Sequence, residues 1–230
     1  MKTLKKTTKA FKVDLDSREN QSILKPSTRC SNNKAHQVNE AAEKIDKLIQ
    51  NAKHSNDGIV LNRNRIKEAF FSPFKPQLKN AQVFLSHSHA DKDKALEVKD
   101  YLESQTKRKV FIDSLFWDYK DDVLSKLAKY DDISKIEDAF TLILRESLQD
   151  MIEKCPYFVF LQSSNSVSNQ GLSRITYSAW IYEELKIAHS ISESRPIPMM
   201  ESLQVSHDIS LFLEHLETIT LKKLSQQINS

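Results

Sequence analysis

Residues 83–93 read VFLSHSHADKD: an apolar run stops, and His87, His89 and Asp91 follow at alternate positions. All three are zinc-ligand types, and a catalytic zinc takes about three ligands from the protein. The position that should complete the set is Lys92, and His36, His54, His189, His207 and His215 add no supporting spacing. No metal is expected. A second group with chemical potential lies further along. Trp180 and Glu184 are four residues apart, hence on one face of a helix, where an indole can shield a carboxylate and line a cleft. From pattern alone Glu183 and Glu184 can equally be solvated helix residues. Ser86 and His87 at the end of the apolar run, Asp113 at the end of KVFID and Trp117 after it complete the candidates.

The elements that must position these residues are legible as periodicity. AQVFLS is a continuous apolar run of the kind that suits a strand buried on both faces. KDKALEVKDYLESQ follows with Ala95, Val98 and Leu102 at helical spacing, then KVFID as a second buried strand and CPYFVFLQ as a third. Helices are expected near 139–154 and 177–190, a weak fourth strand at RPIPMM, and a closing helix at ISLFLEHLETI. Strands alternating with helices call for an α/β fold with a mostly parallel sheet and helices on both faces. Function then gathers at the C-terminal ends of the strands.

Upstream the composition changes. Residues 1–36 are polar with hardly any periodic apolar pattern and read as flexible. Residues 37–78 read as a helical extension, with Ala42, Ile45, Leu48 and Ile49 on one helix face and a second short helix in NRIKEAFFSPF. Residues 79–230 form the α/β domain. The 34 basic residues are diluted by 31 acidic ones to a net charge of +3, which makes no case for nucleic acid as a partner. Cys30 and Cys155 lie far apart without CxxC spacing, so reduced thiols are the default. No apolar run approaches the roughly 20 residues of a membrane span. MKTLKKTTKAFK is basic but lacks the apolar segment of a signal peptide. A cytoplasmic protein is expected.

Two family patterns compete for the same motif. His87-x-His89-x-Asp91 copies the start of the zinc signature of metallo-β-lactamase-like hydrolases, but Lys92 breaks it, and two glycines in the whole chain are too few for that fold's tight ligand loops. VFLSHSHADKDKALEVKDYLES instead resembles the opening of a bacterial Toll/interleukin-1 receptor (TIR) domain. KVFIDSLFW resembles its second strand and the start of its BB loop, CPYFVFLQSSNSVSN its third strand and exit loop, and SAWIYEEL its W-x-x-x-E-L pattern. Four pieces in order, over roughly residues 80–200, make the resemblance specific. Two insertions depart from it, DYKDDVLSKLAKYDDISKIED after Trp117 and QGLSRITY before Trp180.

The resemblance implies a flavodoxin-like TIR domain that cleaves the nicotinamide–ribose bond of NAD+, with NAD+ as substrate and no cofactor. It implies Glu184 as the catalytic glutamate. Ser86, His87, Asp113, Trp117 and Trp180 then become substrate-binding candidates. Each has a plainer alternative: loop polarity for His87, a turn cap for Asp113, packing for Trp117. The resemblance further implies self-association through TIR surfaces. In a Thoeris-type anti-phage setting it implies an ADP-ribose-derived signal, cyclic in some members, read by a separate effector protein. A non-catalytic TIR adaptor acting through homotypic contacts is the competing expectation.

Overall fold

The computed structural model describes residues 8–26, 43–51, 63–71, 80–112, 114–128, 134–170, 173–192 and 206–230. The chain divides into two compact units. One comprises Met1–Arg29, Ala81–Asp113 and Gln149–Ser230; the other Cys30–Asn80 and Ser114–Leu148.

The first unit is α/β. Its main strands are β1 (Lys9–Asp14), β2 (Ala81–Ser86), β3 (Lys109–Ile112), β4 (Tyr157–Gln162) and the two-residue β8 (Glu217–Thr218). They form one sheet in the order β3-β2-β4-β1-β8, every neighbouring pair parallel. Three short strands, β5 (Ser168–Gln170), β6 (Ser173–Thr176) and β7 (His207–Asp208), make a separate antiparallel sheet. Of the insertion QGLSRITY, Gln170 ends β5 and Ser173–Thr176 form β6, antiparallel to it.

Register tells which side chains share a face. Phe84 of β2 is level with Phe111 of β3 and Phe158 of β4, and Phe158 with Ala10 of β1. The three rings touch, with centroids 5.6 and 5.8 Å apart. Two residues on, Ser86, Phe160 and Lys12 are level on the same face. Helix α7 (Ala179–Ser192) and the short α8 (Ser210–Glu214) cover that face: Leu185, Ala188 and Phe212 enclose a cavity of about 110 Å³ with Ala10. The opposite face carries Val13, Val83, Leu85, Val159 and Leu161, all fully buried. Beneath it run α4 (Lys92–Thr106) and α9 (Leu221–Asn229), joined by the Asn229 amide donating to the Gln105 carbonyl at 3.2 Å. Helix α4 buries Ala95, Val98, Leu102 and Thr106. It ends at Lys107, held at φ 56° where glycine is the usual choice.

Three expectations are corrected here. Residues 9–14 and 18–23, within the stretch expected to be flexible, form β1 and α1 (Arg18–Ile23). KAFKVD alternates polar and apolar residues because β1 has only the two-residue β8 on its outer side; it still buries Phe11 and Val13. In a flavodoxin-like 2-1-3-4-5 order, β1 fills the fourth place, while RPIPMM lies outside the described residues. ISLFLEHLETI is not one helix: it holds α8 and then β8, and α9 closes the chain. Finally, the residues after β3 are helical and not a loop, as α5 (Ser114–Leu127).

The second unit is helical among the described residues. It contains α2 (43–51), α3 (Arg63–Phe71), α5 and most of α6 (Ser134–Lys154). Helical spacing buries Ile45 and Ile49, Ile66 and Ala69, Val123 and Leu124, and Phe140, Ile143 and Leu144. The helical extension was legible as two helices; its grouping with 114–148 was not. No described helix is long and apolar enough to cross a membrane.

Candidate functional site

Chain order reverses at β2: β3 lies on one side of it and β4 on the other. Such a switch point leaves a crevice beyond the C-terminal ends of the two strands, bordered by the loops that leave them. Ser86 is the last residue of β2 and His87 follows; both are buried. Ser86 Oγ has no hydrogen-bond partner among the described residues, and a buried hydroxyl left so is costly.

The two loops are clasped by a residue that enters through the HxHxD stretch. Asp91 closes a 3-10 turn (His89–Asp91), its N–H donating to the Ser88 carbonyl at 2.8 Å. The buried Asp91 carboxylate accepts from the Ser163 hydroxyl and, at 2.8 Å, from the Asn165 amide. Ser163 Oγ in turn accepts from the N–H groups of Asn165 and Ser166 at 3.0 and 3.2 Å. Beside this clasp, Asp16 after β1 accepts from the Ser164 N–H at 3.0 Å and faces Lys94 at 3.4 Å. Three strand exits are thereby tied together. The alternating triplet does not act as one set, since His89 is exposed while His87 and Asp91 are buried. Among the described residues no three His, Cys, Asp or Glu side chains form a group able to hold a metal ion.

Helix α7 presents the glutamates. Ser178 precedes it, its hydroxyl accepting from the Ile181 N–H at 3.3 Å. Ile181, Glu184, Leu185 and Ala188 form the buried stripe, and Glu184 has no exposed surface at all. Glu183 is different: it lies at the helix flank within 3.6 Å of the Lys186 ammonium. Of the two residues that the sequence left equivalent, Glu184 is fully covered and Glu183 is partly exposed beside the buried Lys186. Trp180, one turn earlier on the same face, is half-buried.

No family model, curated protein or solved structure matches the chain.

The fold thus gathers Ser86, His87 and the loop after β4 at one switch point, and sets Glu184 on the helix that covers the same sheet face as Ser86. Trp117 falls in α5, in the second unit. Asp113 lies outside the described residues. Asp91, Ser163 and Asn165 were missed as partners. The available signal was a polar run, SSNS, directly after a buried strand, opposite an Asp in the loop of the neighbouring strand. Chemically, a carboxylate withheld from water can stabilise positive charge that develops in a transition state.

Proposed function

We propose that the chain cleaves NAD+ at the nicotinamide–ribose bond, with Glu184 stabilising the cationic ribose. The observation that carries this reading is the complete burial of Glu184 on α7, where the neighbouring Glu183 is only partly buried. The order of TIR-like motifs supports it. Nicotinamide leaves as a neutral group from a cationic one, so its departure needs no general acid; the demand falls on the ribose, which becomes oxocarbenium-like. A carboxylate withheld from water answers that demand more strongly than one in solvent. Ser86 and His87 border the crevice as ribose or amide ligands, and the Trp180 indole lines its wall. A cytoplasmic location fits this substrate.

Glu184 is covered in the single chain, so turnover requires the cover to move. Self-association through TIR-like surfaces is the natural trigger, and it keeps an NAD+-consuming protein quiet until needed. The product then serves as an ADP-ribose-derived signal for a separate effector.

The test is to incubate the purified chain with NAD+ over a range of protein concentrations and measure nicotinamide. Turnover is expected to rise steeply with concentration. Glu184→Gln is expected to keep the fold and lose at least about 100-fold in rate, while Glu183→Gln stays within a few-fold. A folded wild-type chain that releases no nicotinamide at any concentration leaves the adaptor role in place of the enzyme.

A further inference from the structure

The N-terminal strand brings to this face a residue that lies outside the TIR-like motifs. Lys12 of β1 is level with Phe160 and Ser86 near the C-terminal edge of the sheet, on the face that α7 covers. Two strand spacings separate it from Ser86, about 10 Å. Its half-buried ammonium donates to the Leu213 carbonyl of α8 at 2.7 Å. An ammonium has three N–H donors, and that is the one hydrogen bond the Lys12 ammonium makes among the described residues.

Arg174 of β6 stands near the other end of α8. Its N–H donates to Ser210 Oγ and its carbonyl accepts from the Ile209 N–H, each at 2.8 Å. These backbone bonds hold the residue in place while its guanidinium makes no hydrogen bond or ion pair among the described residues. The two cations feel one another: burial and then Arg174 hold the Lys12 ammonium below its usual pKa, with Glu214 acting in the opposite sense. Neighbouring like charges with unused donors are unfavourable until an anion joins them.

We propose that Lys12 and Arg174 form an anion subsite that takes the pyrophosphate of a dinucleotide. Two cations match the two negative charges of a pyrophosphate diester. Lys12 lies on the sheet face that α7 covers, so a dinucleotide seated there can extend its ribose toward the helix that carries Glu184. The assignment of a dinucleotide rests on the NAD+ reading above; the anion subsite itself rests on the two side chains.

The experiment is calorimetric titration of the full chain with inorganic pyrophosphate at low ionic strength, repeated with Lys12→Met and Arg174→Gln. Wild type is expected to bind, and each variant to bind about tenfold or more weakly. In turnover assays the variants should raise KM for NAD+ while kcat changes little, the mark of binding shared by ground and transition states. Arg174→Gln removes a charge without removing a side-chain hydrogen bond among the described residues, so it remains informative if Lys12→Met fails to fold. Wild type that ignores pyrophosphate, or an Arg174→Gln variant that binds it unchanged, overturns the subsite. Pyrophosphate bound through these residues with NAD+ left intact supports the subsite and defeats the NAD+ reading. Nicotinamide release with KM unchanged in both variants does the reverse.

Discussion

The β2–β4 region and the N-terminal β1–α1 segment occupy the same sheet, yet only one of them announces itself. AQVFLS and YFVFLQ lie between paired strands and are apolar nearly throughout, as strands covered on both faces must be. KAFKVD runs beside β4 over six paired residues but meets only two on its other side. It therefore retains Lys9, Lys12 and Asp14 and looks like part of a polar tail. The difference teaches that polar character in a strand measures how completely its neighbours cover it, not how firmly it belongs to the fold. The same polar character lets β1 place Lys12 level with Ser86 on one sheet face, which a fully apolar strand could not do.

The largest expected effect tests that equivalence directly. Val13→Asp in β1 and Leu161→Asp in β4 each place a charge at a position with no exposure. Both should cost upward of about 4 kcal/mol, measured by denaturant melting. A Val13→Asp variant that melts like wild type would show that β1 is dispensable and break the comparison.

Next in size is the clasp at the crevice. Asp91→Ala strands the Ser163 hydroxyl and the Asn165 amide, at a cost of about 3 kcal/mol. It should also slow NAD+ turnover, because the loops after β2 and β4 lose their link. Its N-terminal counterpart is Asn20, buried in α1, whose amide donates to the Asp14 carbonyl at 2.7 Å and whose carbonyl accepts from the Leu221 N–H at 2.9 Å. Asn20→Ala should cost about 2 kcal/mol and leave turnover less affected than Asp91→Ala. Should Asn20→Ala prove the costlier in both measures, the N-terminal segment governs the site more than the switch-point loops do.

The smallest effect is acid sensitivity on the β2–β3 side. Burial pushes the Glu103 carboxyl up, but the Lys99 ammonium at 2.6 Å, the Val110 N–H and Lys109 outweigh it and hold the carboxyl below its usual range. A carboxyl depressed on folding stabilises above its unfolded pKa, about 4.3, and that stabilisation is lost as pH falls through the lower folded value. Stability against pH should therefore drop more steeply below about pH 4 in wild type than in Glu103→Gln, by about 1 kcal/mol. Parallel acid limbs would remove Glu103 from the account.

The site was half legible for similar reasons. Ser86 and His87 could be placed because a buried strand must end in a loop at the sheet edge. Glu184 could be nominated from W-x-x-x-E-L, yet helical periodicity by itself set Glu183 and Glu184 on adjacent, equally plausible positions. Only the packing of α7 against the sheet told the covered carboxylate from the one beside Lys186. Asp91 looked like a metal ligand because residue type carries no direction; its partners, Ser163 and Asn165, lie more than seventy positions away.

The sequence by itself determined the α/β class, the strands AQVFLS, KVFID and CPYFVFLQ, α4 and the helix that ends at Lys154, because apolar periodicity is a local record of burial. Tertiary structure alone decided that residues 9–14 fill the fourth place of the sheet, that 114–148 group with the upstream helices, and that Lys12 shares a face with Ser86. Strand neighbours are joined by backbone hydrogen bonds, which are the same for every residue type. Which strand lies beside which is therefore written in no single stretch of sequence, and is settled only when the whole chain packs.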